Sequence, residues 1–173
     1  MKKVILGSII LIIVLFASFL VIGIARKLQN QKLVSEKIAR FPTFSFMTLS
    51  NGSYSSLEIK KGPVLVVHFH PECEHCQYEI SEILKSNIPA SFTNVILISS
   101  ASPDSIKSFL YRNNYPDYPS VIFLVDTSYN FEDTFGSGII PSSYIYNRKL
   151  ILAKVLHGEV KAEAILKYLN ESE

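Results

Sequence analysis

The two cysteines of this 173-residue chain, Cys73 and Cys76, are its only ones, and they stand two residues apart as Cys73-Glu74-His75-Cys76. That spacing is about the shortest that lets both sulfurs meet at one helix N-terminus. The first thiol then faces solvent and the second lies one turn in, beneath it. A pair so placed interconverts between dithiol and disulfide, which is the basis of thiol–disulfide exchange. Free N–H groups and the positive end of the helix dipole favour a thiolate at Cys73, the candidate nucleophile. Cys76 is the candidate resolving thiol, and Cys73–Cys76 the candidate redox disulfide. A purely structural bridge or two inert core thiols are the bland alternatives, but closing so short a loop stabilises little.

Charges within the motif pull in two directions. A protonated His75 stabilises the thiolate and makes the disulfide more oxidising, while Glu72 and Glu74 oppose it by repulsion. Histidine titrates near neutrality, so its contribution fades as pH rises. The expected potential therefore lies between those of strong reductants and strong oxidants. His68 and His70, with His75 and the cysteines, raise a different reading, a soft-metal site such as a copper carrier. Hydrogen-bonded core or rim histidines are the simpler account of each, with His68 packed under the following helix. No metal and no dissociable cofactor is expected, since the cysteine pair is itself the redox centre.

The elements that must hold this pair follow from periodicity. Val64 to Phe69 is apolar at nearly every position, the pattern of a central strand covered on both faces. From Cys76 onward Tyr78, Ile80, Ile83 and Leu84 mark an amphipathic helix that ends before Pro89. Residues 94–99 and 121–125 are predicted to be buried strands, and Ser102-Pro103 starts the helix between them. Upstream, Phe44 to Leu49 and Tyr54 to Leu57 flank Asn51-Gly52 as a hairpin. Downstream, a loop with Phe131 and Phe135 leads to Ile140-Pro141, then a hairpin over 143–155, then Gly158 and a closing helix over 160–169. Strands alternating with helices predict an α/β fold with a mixed sheet and helices on both faces.

Ahead of all this, Val4 to Ala25 runs for 22 residues without a charge between Lys2-Lys3 and Arg26-Lys27. A helix of that length spans roughly 33 Å at about 1.5 Å per residue, enough for a bilayer core of about 30 Å. A cleaved signal peptide is the rival, but its apolar core is usually only ~7–15 residues. The expected organisation is an anchor at 1–27, a stalk at 28–41 ended by Phe41-Pro42, and a folded domain at 42–173. Flanking charges do not fix the orientation, because basic residues follow the run as well as precede it. Placing the folded part outside the cytoplasm rests on the oxidising space such a redox pair suits. Outside the anchor, 13 basic side chains face 15 acidic ones. There is no basic stripe for nucleic acid.

Over about residues 42–170 the chain resembles the thioredoxin superfamily, and within it the membrane-anchored TlpA/ResA-type oxidoreductases. The motifs that carry the likeness are the Asn51-Gly52 hairpin, the strand 63–69 leading into Cys73-Glu74-His75-Cys76, the Ile140-Pro141-Ser142 element, and Gly158 before the last helix. The resemblance implies a thioredoxin-like fold: a central mixed sheet flanked by helices, an N-terminal β-hairpin, and here an N-terminal transmembrane helix. It implies that Pro141 lies in a cis peptide opposite the cysteines, with the backbone at Ile140 open to an extended peptide. It further implies exchange or reduction of protein disulfides, electrons or oxidising equivalents from a membrane redox partner, and a single-pass protein of a bacterial inner membrane facing the periplasm or exterior. This chain departs from the pattern at Glu72, where tryptophan is common, and at Val67, where thioredoxin's buried acid would stand. It also lacks a proline before Cys76. A threonine needed for a peroxide site is missing between Val66 and Cys73. The direction of electron flow stays open: a disulfide-forming oxidase is the alternative within the class, and a copper-carrying or structural domain the alternative outside it.

Overall fold

Five consecutive buried residues, Val64–His68, form the strand (β3) around which the rest of the chain is layered. In a computed structural model, residues 2–171 are described, apart from the side chains of 2–14, Ala17, Lys27, Asn30 and Gln31. The chain divides into two units, Met1–Glu36 and Lys37–Glu173. The first is helical, part of α1 (Lys2–Ile38). Among the described residues no helix is long and apolar enough to cross a membrane. Much of the apolar run 4–25, on which the anchor was expected, lies outside the described side chains.

The second unit holds a seven-stranded sheet in the order β2-β1-β5-β4-β3-β6-β7. Its members are β1 (Ser45–Thr48), β2 (Ser53–Ser55), β3, β4 (Asn94–Ser99), β5 (Val121–Val125), β6 (Ser142–Tyr146) and β7 (Leu152–His157). β3, β4 and β5 run parallel, joined by crossovers through α2 (Glu74–Lys85) with the short α3 (Ile88–Ser91), and through α4 (Pro103–Asn113). Antiparallel β6 and β7 extend one side of β3, and the β1–β2 hairpin extends β5 on the other. The closing helix is α6 (Ala162–Glu171). This is the mixed sheet that the alternation of strands and helices predicts.

Alternation along β3 divides its side chains between two layers. Leu65, Val67 and the following Phe69 pack in one core with Ile80, Ile83 and Leu84 of α2, Ile106 and Phe109 of α4, and Ile165 and Leu169 of α6. His68 points the other way. Its ring stacks on Phe131 at 4.0 Å, so it lies against α5 (Phe131–Phe135) and not under α2 as expected. α5 itself falls where the sequence predicts a loop. Asp126, at the end of β5, accepts hydrogen bonds from Asn130 N at 3.0 Å and Phe131 N at 2.8 Å, which supplies the missing N-terminal cap.

That second layer is aromatic. Phe135 lies 4.5 Å from Phe131, 5.0 Å from Tyr144 and 5.6 Å from Phe44, centroid to centroid. Phe135→Ala is expected to destabilise the domain by about 3–5 kcal/mol, since it leaves a cavity bounded by rigid rings. The urea midpoint should fall at unchanged slope; a loss under ~1 kcal/mol would mean the layer collapses to fill the gap.

Two local contacts fix the frame around the site. Gly62 packs so tightly on the β6–β7 turn that a Cβ there would meet the Asn147 carbonyl oxygen at 2.3 Å. Gly158, with φ at +80°, turns the chain between β7 and α6 in the left-handed region that favours glycine.

Candidate active site

The cysteine loop begins where β3 ends. His70-Pro71-Glu72 leads into Cys73, which is the N-cap residue of α2, in extended conformation. A turn closes behind it, with Cys73 N donating to the His70 carbonyl at 3.1 Å and Gln77 Nε2 donating to the Pro71 carbonyl at 2.7 Å. The Cys73 sulfur takes the place of a capping oxygen: Cys76 N donates to its Sγ at 3.3 Å. One of the orphan amides of the helix is thereby directed at the sulfur, the arrangement that favours negative charge there. Cys73 is half-buried and Cys76 fully buried, and both are unbonded thiols. Burial, then the hydrogen bond with Cys73, pushes the Cys76 thiol up to about 12, with the Glu79 charge adding to the rise. At neutral pH, Cys76 is therefore held as a thiol.

The Ile140–Pro141 peptide is cis, as is Gly62–Pro63, which the sequence did not mark. Ser142 pairs with His68 across the β3–β6 ladder, so Pro141 enters the sheet at the end of β3 from which the cysteine loop leaves. Pro141 is buried while Ile139 and Ile140 are exposed. Ile140 borders a cleft of about 270 Å³ with His70, Tyr129 and Glu132.

His75 points outward on the first turn of α2, and its Nδ1 lies 2.7 Å from Glu159 Oε2. The histidines do not converge. His157 Nδ1 pairs with Ser142 Oγ at 2.8 Å, and Nδ1 of His70 accepts from Glu72 N at 3.3 Å. His68 is buried against Phe131, and burial pushes its imidazole down to about 4, so it is neutral. Among the described residues no three His, Cys, Asp or Glu side chains gather as metal ligands.

One buried carboxyl on the cysteine helix is not anticipated by the sequence. Glu79 is fully buried on α2, one turn beyond Cys76. Its Oε1 accepts a 2.6 Å hydrogen bond from Ser143 Oγ, and its Oε2 accepts from Val160 N at 3.3 Å. Burial raises its carboxyl to about 7, against the smaller lowering effect of those two bonds. Ser143 is the residue paired with Val67 in the sheet. A buried acid therefore stands on α2 and meets Ser143, the sheet partner of Val67. A signal was present: Glu79 interrupts the apolar face defined by Cys76, Ile80 and Ile83. The arrangement joins an accessible sulfur at a helix tip, a buried thiol behind it, and a buried carboxyl that changes charge near neutrality.

Several solved structures share this architecture. MTB DsbF, in its mixed oxidized and reduced forms, matches with a TM-score of 0.64 at 16% identity, covering 79% of this chain and 97% of that one. The pneumococcal exposed lipoprotein thioredoxin Etrx1 of Streptococcus pneumoniae strain TIGR4 matches at 0.59 with 22% identity, over 75% of this chain and 98% of that one. A thiol:disulfide interchange protein of the thioredoxin family from Chlorobium tepidum TLS matches at 0.61 with 17% identity, over 77% and 94%. No family model matches the chain, and no curated protein matches its sequence. At these identities the likeness is one of fold, and the fold is thioredoxin-like.

Proposed function

We propose that this thioredoxin-like chain is a thiol–disulfide oxidoreductase of the TlpA/ResA type, held at a bacterial inner membrane with its folded domain outside the cytoplasm. The observation that carries the activity is the pair at the tip of α2: a half-exposed Cys73 sulfur receiving a helix amide, and a sealed Cys76 thiol behind it. Structural neighbours described as thiol:disulfide interchange proteins support the same reading. The anchor is supported by the uncharged run 4–25 within α1, where Leu15, Phe16, Phe19, Leu20, Val21, Ile22 and Ile24 are all exposed to solvent. The proposed organisation is anchor 1–27, stalk 28–41 and domain 42–173.

In the reductive direction the Cys73 thiolate attacks one sulfur of a substrate protein disulfide. The Cys73–substrate bond forms, the substrate S–S bond breaks, and the second substrate sulfur leaves as a thiolate that takes a proton from solvent. Cys76 then gives its proton to the Glu79 carboxylate and attacks Cys73 Sγ. The Cys73–Cys76 disulfide forms and the first substrate sulfur leaves. Two electrons have passed from the cysteine pair to the substrate, and a membrane dithiol partner returns them. Ile140, exposed just ahead of Pro141, offers its backbone to an extended substrate segment as an added strand. Run backwards, the same steps insert a disulfide.

The test is the equilibrium of the full chain against a glutathione series, read by trapping free thiols. Cys73 and Cys76 are expected to convert together as one two-electron couple, with a potential between those of strong reductants and strong oxidants. Thiols that stay reduced across the series would refute the reading. Replacing His75 with alanine is expected to make the couple more reducing, because a protonated imidazole favours the thiolate of the reduced form. An unchanged potential would remove the histidine from the account.

A further inference from the structure

Three consecutive residues between β7 and α6 each grip a different part of the site. Gly158 N donates to the Pro141 carbonyl at 2.9 Å, Glu159 Oε2 meets His75 Nδ1 at 2.7 Å, and Val160 N donates to Glu79 Oε2 at 3.3 Å. The left-handed turn at Gly158 is what lets successive groups reach β6, the tip of α2 and the inner face of α2. Glu159 is thus tied to the tip of the cysteine helix by its side chain, and its backbone neighbour holds the buried carboxyl.

We propose that Glu159 is a positioning residue of the exchange reaction: held against His75 at the tip of α2, one residue ahead of the amide that grips Glu79, its carboxylate biases Glu79 toward the neutral form and so narrows the conditions in which Cys76 can lose its proton. This inference rests on the reading of Glu79 as the proton acceptor of Cys76. Among the described residues, few polar groups bear on the charge of Glu79. They are the Cys76 thiol on its own helix, the Ser143 hydroxyl on β6, and the Val160 amide and Glu159 carboxylate on the loop. Burial is the main cause of the raised Glu79 carboxyl, and the Glu159 charge acts in the same direction. His75 Nδ1, 2.7 Å from Glu159 Oε2, holds that carboxylate at the tip of α2. The pair is solvent-exposed on the His75 side, which limits its reach without cancelling it.

Glu159→Gln removes a repelling charge at unchanged size, so Glu79 ionises at lower pH. Glu159→Asp keeps the charge and shortens the reach to His75. A loop whose only role is to be held in place would respond in the same sense to both substitutions, since both weaken the one contact.

The experiment follows the Glu79 carboxyl by carbon-13 NMR in the full chain in detergent micelles, with Glu79→Gln identifying the signal. The midpoint is expected to fall by about half a pH unit in Glu159→Gln, the scale of one partly screened charge. It should return toward wild type in Glu159→Asp, which restores the charge. The pH limb of mixed-disulfide resolution should move in parallel. A midpoint that does not fall in Glu159→Gln, or that falls as far in Glu159→Asp, overturns the proposal. The titration needs no turnover, so a chain that shows these shifts but exchanges no disulfide refutes the oxidoreductase reading and leaves the coupling standing.

Discussion

Cys76→Ala is expected to accumulate as a covalent complex with a disulfide-bearing substrate peptide, while Cys73→Ala forms none and loses at least about a thousandfold in exchange rate. The asymmetry follows from burial. Cys73 Sγ sits at the helix tip with an amide directed at it, and Cys76 is fully enclosed. Without Cys76 the first attack proceeds and the resolving attack has no nucleophile, so the mixed disulfide persists until an external thiol cleaves it. Intact-mass measurement reads the complex directly, as the mass of the chain plus one peptide thiol. Iodoacetamide should label Cys73 in the native wild-type chain and reach Cys76 only after unfolding. Equal turnover by both single variants, or native labelling of Cys76 first, would reverse the assigned roles.

Glu79→Gln is expected to make the domain more stable and the enzyme slower, and the two effects share one cause. An unfolded glutamate titrates near 4.5, whereas burial raises this carboxyl to about 7 in the folded chain. Between those values the native state holds a proton that the unfolded state has released. Stability is therefore greatest below the unfolded value and falls as pH rises through about 7. The loss is of order 3 kcal/mol for a shift of this size. Glutamine keeps the size and the acceptor for Ser143 without the charge, so urea midpoints of wild type and variant should converge near pH 4 and separate toward pH 8. Kinetically, resolution by Cys76 should rise with pH through about 7 in the wild type, as the carboxylate becomes available. In Glu79→Gln that limb should flatten. Parallel stability curves over the whole range would show that Glu79 stays neutral and takes no proton from Cys76.

A trade of stability for reactivity at one side chain marks where reading the chain locally stopped being enough. The placement of Cys73 and Cys76 at a strand–helix junction was legible because it depends on neighbours in sequence. An unbroken apolar run makes β3, and 3.6-residue spacing makes α2. β4 and β5 fell on residues 94–99 and 121–125 for the same reason. α5 was not legible, because its cap is the Asp126 side chain, which acts only once β5 has ended in the right place. His68 could be given a face by alternation, but not a partner, since nothing local says which helix covers that face. Glu79 is not legible as a buried acid, because nothing local says which strand covers its face of α2; Ser143 of β6 is what meets it there.

The sequence by itself determined the platform: two sulfurs one helical turn apart, at the end of a buried parallel strand. Periodicity and motif spacing are enforced by the bonded chain within a few residues. Only the tertiary structure decided which groups surround those sulfurs. The contacts of Pro141, His75 and Glu79 with residues 158–160 join positions 17 to 84 residues apart. Burial in that assembled interior is what raises both the Cys76 thiol and the Glu79 carboxyl, and burial is a property of the packed chain, with no counterpart in any local pattern of residues.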